Sequence, residues 1–113
     1  MNSKNLINLD YKYPKLEKLI NEIIKILKNH IKSSFRLYIF GSFATGKASY
    51  YSDLDIALET KEPLSNRDII KIKEDLENIR TLRKIDFIYL NKAPEKLKKV
   101  IKKEGVLLYE FSG

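Results

Sequence analysis

Residues 53–59 read Asp-Leu-Asp-Ile-Ala-Leu-Glu, so Leu54, Ile56 and Leu58 take every second place, with Asp53, Asp55, Ala57 and Glu59 between them. A period of two belongs to an extended strand, whose successive side chains point to opposite faces. This strand therefore has two unlike faces: one apolar, the other carrying two carboxylates side by side. The chain must contain a sheet, and something must cover its apolar side.

The neighbouring segments supply that cover. Leu16, Leu19, Ile20, Ile23, Ile24, Leu27 and Ile31 recur at helical spacing, and Pro14 stands where a first helical turn tolerates it, which predicts a helix over 14–33. Residues 36–40 (Arg36 to Phe40) are short and aromatic-rich and end at Gly41, as a buried strand would. A polar stretch follows from Ser42 to Ser52. After Pro63, Ser65 and Asp68 form a capping-box-like start for a helix through about Arg80, with Ile69, Ile72, Leu76 and Ile79 on its buried side. Residues 84–90 predict a third strand, Pro94 opens a helix to about 103, Gly105 caps it, and Val106–Tyr109 predict a last short strand. The expected fold class is α/β of the α+β type, a small mixed β-sheet flanked by helices. The 113 residues fit one compact domain spanning 1–113.

Composition removes several classes of function. Without cysteine there is no disulfide framework and no thiolate zinc site. No run approaches the roughly 20 apolar residues of a membrane helix, and residues 1–10 hold no signal-peptide core. The expected protein is soluble and cytoplasmic. The net charge of +7 comes mostly from lysine, with Lys98, Lys99, Lys102 and Lys103 clustered near the C-terminus. Such a surface suits nucleic acid, nucleotide phosphates or an acidic partner, and it is equally the solvated face of ordinary helices.

Chemistry concentrates in three places. Asp53 and Asp55 project from one face of a strand, where two close carboxylates repel unless a cation lies between them. Hard oxygen donors favour Mg²⁺ or Mn²⁺. Gly41-Ser42 directly follows a strand, where a sharp turn can aim backbone amides and a hydroxyl at a phosphate. A helical turn opening at Ser42 would add its positive end. Asp86, between Ile85 and Phe87 in an otherwise apolar segment, calls either for a partner, a charge or a metal, or for a solvated strand edge. It joins the other two acids if its strand lies beside theirs.

The set Gly41-Ser42, ten intervening residues, Asp53-Leu54-Asp55 and a later Asp86 resembles the DNA polymerase β-type nucleotidyltransferase superfamily. The likeness is to its minimal nucleotidyltransferase branch, which holds the MntA-type antitoxins of HEPN/MNT toxin–antitoxin pairs. It runs from about residue 36 to 110 and includes Leu90-Asn91-Lys92-Ala93 and the stretch from Lys103 to Glu110. The resemblance implies a nucleotidyltransferase fold, with Gly41 and Ser42 holding the triphosphate of ATP and Asp53, Asp55 and Asp86 as catalytic residues binding two Mg²⁺ ions. It further implies a Mg²⁺-dependent protein adenylyltransferase that moves AMP onto a tyrosine of a partner HEPN-domain toxin and releases pyrophosphate. A hetero-oligomer with that toxin follows.

The pattern departs from many relatives after the Gly-Ser pair, where Phe43 and Thr45 stand in place of arginines and Lys47 is the nearest cation. His30 reads as a structural or surface residue, and Tyr50 and Tyr51 as loop residues. Two other classes compete with the enzyme. One is an antitoxin that neutralises its partner by binding alone, with the acids a relic. The other is a basic nucleic-acid binder, which lacks a recognisable reading motif.

Overall fold

The computed structural model describes residues 2–5, 15–49 and 52–113. In chain order the elements are β1 (Asn2–Asn5), α1 (Leu16–His30), β2 (Phe35–Phe40), α2 (Ser42–Thr45), β3 (Leu54–Thr60), α3 (Asn66–Glu77), β4 (Ile85–Tyr89), a 3₁₀ turn (Leu90–Lys92), α4 (Glu95–Glu104) and β5 (Val106–Ser112). Among the described residues these strands make one five-stranded sheet in the order β1-β5-β2-β3-β4. It is mixed: β3 runs antiparallel to β2 and parallel to β4, while β5 runs antiparallel to both β2 and β1.

The period-two strand does what its pattern demands. Leu54, Ile56 and Leu58 are wholly buried. They pack with Leu37 and Ile39 of β2 beneath Leu16, Leu19, Ile20, Ile23, Ile24 and Leu27 of α1 and Ile69, Ile72 and Leu76 of α3. Each fully buried Leu or Ile contributes about 1.5–3 kcal/mol over its exposed state, so this layer carries most of the fold's stability. On the opposite face Ala57 packs with Leu90 and Ile101, joined by half-buried Tyr38, Phe40, Ile88 and Leu97. There α4 covers the middle of the sheet.

The boundaries differ from expectation in instructive ways. Helix α1 begins at Leu16 and ends at His30, and the Ile31 amide still closes onto Leu27 O at 2.9 Å. Pro14 lies outside the described residues. Helix α3 ends at Glu77 rather than near Arg80. Strand β5 continues past Tyr109 to Ser112, because β1 lends it a partner there: Asn5 faces Tyr109 and Asn2 faces Ser112. That first strand has no period-two apolar pattern and was not expected.

Gly105 does cap α4, but at φ −75 it is not left-handed. A Cβ there would collide with the Ile101 carbonyl oxygen and lie 3.1 Å from that of Ile39, so crowding rather than dihedral freedom selects glycine. At the far end of β3, Asn91 accepts from the Thr60 amide at 3.0 Å and donates to the Thr60 carbonyl at 2.8 Å, bonding the strand end as a neighbouring strand would.

Candidate active site

Strand β2 ends at Phe40, and the chain turns at Gly41 with φ 70 and ψ −148. That region is essentially reserved for glycine. A Cβ at Gly41 would also strike a carboxylate oxygen of Asp55 and lie 3.1 Å from its carboxyl carbon. The turn and the acid are therefore in intimate contact. The Gly41 carbonyl accepts from the Ala44 and Thr45 amides at 3.1 Å each, and Gly46, left-handed at φ 78, ends the single helical turn. The first amides of a helix have no acceptor within it, so the Ser42 end combines donor groups, a hydroxyl and the positive pole of the turn.

Asp53 and Asp55 flank Leu54, whose complete burial places both acids on the other face of β3. Asp53 is exposed and Asp55 half-buried. Asp55 stands opposite Phe40 on β2 and level with Asp86 on β4. This face is the one that α4 covers in its middle, and the acids occupy the end beside Gly41. The condition set by the sequence for Asp86 is met: its strand adjoins that of Asp53 and Asp55.

The electrostatics register the crowding. The Asp55 carboxyl is pushed up to about 6, first by burial, then by its hydrogen bond to Asp86 and by the charges of Asp86 and Asp53, with Lys84 opposing. Lys84 Nζ lies 3.6 Å from Asp86 Oδ1. Among the described residues no group of three His, Cys, Asp or Glu side chains is already arranged to hold a metal ion. Instead Asp55 and Asp86 stand level on adjacent parallel strands, where each perturbs the other. The donor set nevertheless fits a hard divalent cation, since all its ligands are carboxylate oxygens and their mutual repulsion is what a cation would relieve.

Two features escaped the sequence reading. Arg83 donates from Nη1 to the Ser52 carbonyl at 2.6 Å and lies over the Phe43 ring at 5.1 Å. The other is a contact just before Asp53, where the Ser49 amide donates to Ser52 Oγ at 2.8 Å. A lone arginine in a loop carries no local signature of a long-range contact, whereas two serines three residues apart are a usable signal of a local side-chain-to-backbone bond. Lys47 is exposed just beyond α2. His30 bonds Asp75 at 2.6 Å, joining α1 to α3 away from the acids, as its structural reading expects. Tyr50 and Tyr51 lie outside the described residues.

The sequence matches the family described as polymerase β, nucleotidyltransferase, over residues 21–112. It is 28% identical over 88 residues to a Haemophilus influenzae protein named as the protein adenylyltransferase MntA, covering 78% of this chain and 77% of that one. A Methanocaldococcus jannaschii protein, also named as a protein adenylyltransferase, is 34% identical over 92 residues, covering 77% of this chain and 95% of the relative. One chain of a toxin–antitoxin crystal structure with AMP-PNP superposes with a TM-score of 0.65 and 27% identity, over 82% of this chain and 73% of that one. A complex of tri-AMPylated HEPN toxin with MNT antitoxin from Shewanella oneidensis gives a TM-score of 0.64 over 86% of this chain and 72% of that one. At 24% identity this second likeness is one of fold.

Proposed function

Because this chain belongs to the polymerase β-type nucleotidyltransferase family, we propose that it is a protein adenylyltransferase that moves AMP from ATP onto a tyrosine hydroxyl of a HEPN-domain toxin and acts as that toxin's antitoxin. The observation that carries the reading is the meeting of the Gly41 turn with Asp55, and of Asp55 with Asp86, at one end of the sheet. Relatives named as protein adenylyltransferases, and a structural neighbour that is a toxin–antitoxin complex with an ATP analogue, support the choice of nucleotide and partner.

In this reading the amides and hydroxyl of the Gly41-Ser42 turn hold the triphosphate, and Asp53, Asp55 and Asp86 hold Mg²⁺, two ions being the expected number. Bound there, Mg²⁺ would lower the pKa of the acceptor hydroxyl and offset the charge of the departing pyrophosphate. The tyrosine oxygen attacks the α-phosphorus in line, its bond to phosphorus forming as the bond to the bridging oxygen of the β-phosphate breaks. The hydroxyl proton passes to the carboxylate cluster. The protein's own contribution is placement and charge, which suffices for phosphoryl-type transfer.

The test is transfer of label from α-labelled ATP to a co-expressed HEPN partner in the presence of Mg²⁺. Asp53→Asn and Asp55→Asn are each expected to lower transfer by about a hundredfold or more while the far-ultraviolet circular dichroism stays that of the folded chain. Transfer that persists in the double variant would refute the assignment. Full silencing of the toxin by that same double variant would mean neutralisation by binding alone.

A further inference from the structure

Helix α2 is a single turn, Ser42–Thr45, and a helix that short has too few internal hydrogen bonds to fix its own position. What its side chains touch must do so. Phe43 is buried at 5% exposure, and the Arg83 guanidinium lies over its ring at 5.1 Å. The same guanidinium donates to the carbonyl of Ser52 at 2.6 Å, and Ser52 is covalently next to Asp53. The main chain around Arg83 makes the third connection. Its amide donates to Thr81 Oγ1 at 3.1 Å, and the carbonyl of the next residue, Lys84, accepts from Leu54 at 2.8 Å. Asp86 follows two residues later. The Arg83 side chain thus links the segment carrying the Gly41-Ser42 turn to the segment delivering Asp53, and main-chain bonds at residues 83 and 84 tie both to the segment delivering Asp86.

We infer that Arg83 is a positioning residue of the site, clasping the Gly41-Ser42 turn to the residue before Asp53 and so setting the distance between the phosphate-binding groups and the acids. Its kinetic consequence depends on the AMP transfer proposed above; its structural consequence does not. Arginine suits the role because a planar guanidinium can stack by its face and donate by its edge at the same time. A lysine keeps the charge but loses the flat face and the fixed fork of donors. Arg83 reaches the site through Phe43 and Ser52 and need not touch the nucleotide.

The test uses full-length chains carrying Arg83→Lys, Arg83→Met, Phe43→Leu, and the Arg83→Lys/Phe43→Leu pair. Hydrogen exchange is expected to quicken in both 42–45 and 52–54 in every variant, while α1 keeps its protection. In the transfer assay, kcat is expected to fall roughly ten- to hundredfold in Arg83→Lys and Arg83→Met alike, because small misplacements near reacting groups cost that much. The AMP-PNP dissociation constant should stay within about threefold, since the phosphate groups of the turn remain. The double variant should be no worse than the poorer single one, as expected of two residues acting through one contact. Unchanged exchange in either segment overturns the clasp. So does near-normal kcat in Arg83→Lys, a loss confined to nucleotide affinity, or additive losses in the pair. If the wild-type chain transfers no AMP, the proposed function falls, and the exchange data alone still decide the clasp.

Discussion

At Gly41 two unrelated requirements fall on one residue. The backbone dihedrals there strain any side chain, at a cost of order 1–3 kcal/mol. The contact with the Asp55 carboxyl leaves no room for one in any case. Gly46 shares only the first constraint: it is left-handed at φ 78, yet a Cβ there meets nothing within 4 Å. Gly41→Ala should therefore both destabilise the chain and displace Asp55, abolishing transfer, whereas Gly46→Ala should cost about 1–2 kcal/mol and leave transfer measurable. Urea denaturation of the two variants beside the transfer assay checks this, and equal effects on activity would remove the special status of Gly41.

Whole elements are fastened by their ends as well as their faces. Ser65 stands in an extended conformation before α3 and accepts the Asp68 amide at 3.1 Å, while Asp68 places a negative charge in the first turn. Ser65→Ala should lower stability by about 1 kcal/mol, read as a shift in the denaturation midpoint at constant slope. Transfer should be unaffected, because α3 packs against the face of the sheet opposite the acids. The hydrogen bonds at the end of β3 work similarly: the Tyr89 hydroxyl lies 2.7 Å from Thr60 Oγ1 and accepts the Leu64 amide at 3.0 Å, tying the β3–α3 connection to β4.

For the molecule as a whole, a body of net charge +7 carries a local concentration of negative charge at one end of its sheet. Such contrast focuses the field on the acids and favours cations there over the rest of the surface. Stability should record it. A carboxyl whose folded pKa is raised stabilises the native state fully below its unfolded value of about 3.9. For Asp55 that contribution is lost as pH rises through about 6, where the carboxylate must ionise beside Asp86 and Asp53. In chelator, the melting temperature of wild type minus that of Asp55→Asn should therefore fall between pH 4 and pH 7. Added Mg²⁺ should raise the wild-type melting temperature at pH 7.5, do so less at pH 5, and leave Asp55→Asn almost unmoved, since binding needs ionised carboxylates. A pH-independent difference, or a Mg²⁺ shift that survives in Asp55→Asn, would contradict this account of the cluster.

Local periodicity sufficed for the apolar faces of α1 and α3, for β3 and its paired acids, and for the turn at Gly41, because each depends on side-chain spacing within a few residues. The neighbour of β3, and the level at which Asp86 would stand beside Asp55, were beyond it: a strand's pattern says which face is buried but not which strand lies alongside or in what register. Both are decided in the sheet, where β4 lies parallel to β3 with Asp86 level with Asp55. Only the folded chain could join β1 to the edge of β5 through backbone bonds that need no side-chain pattern. It alone could bring Arg83 across to Phe43 and Ser52, since a guanidinium on a long flexible side chain gives no sign in sequence of where it will bind.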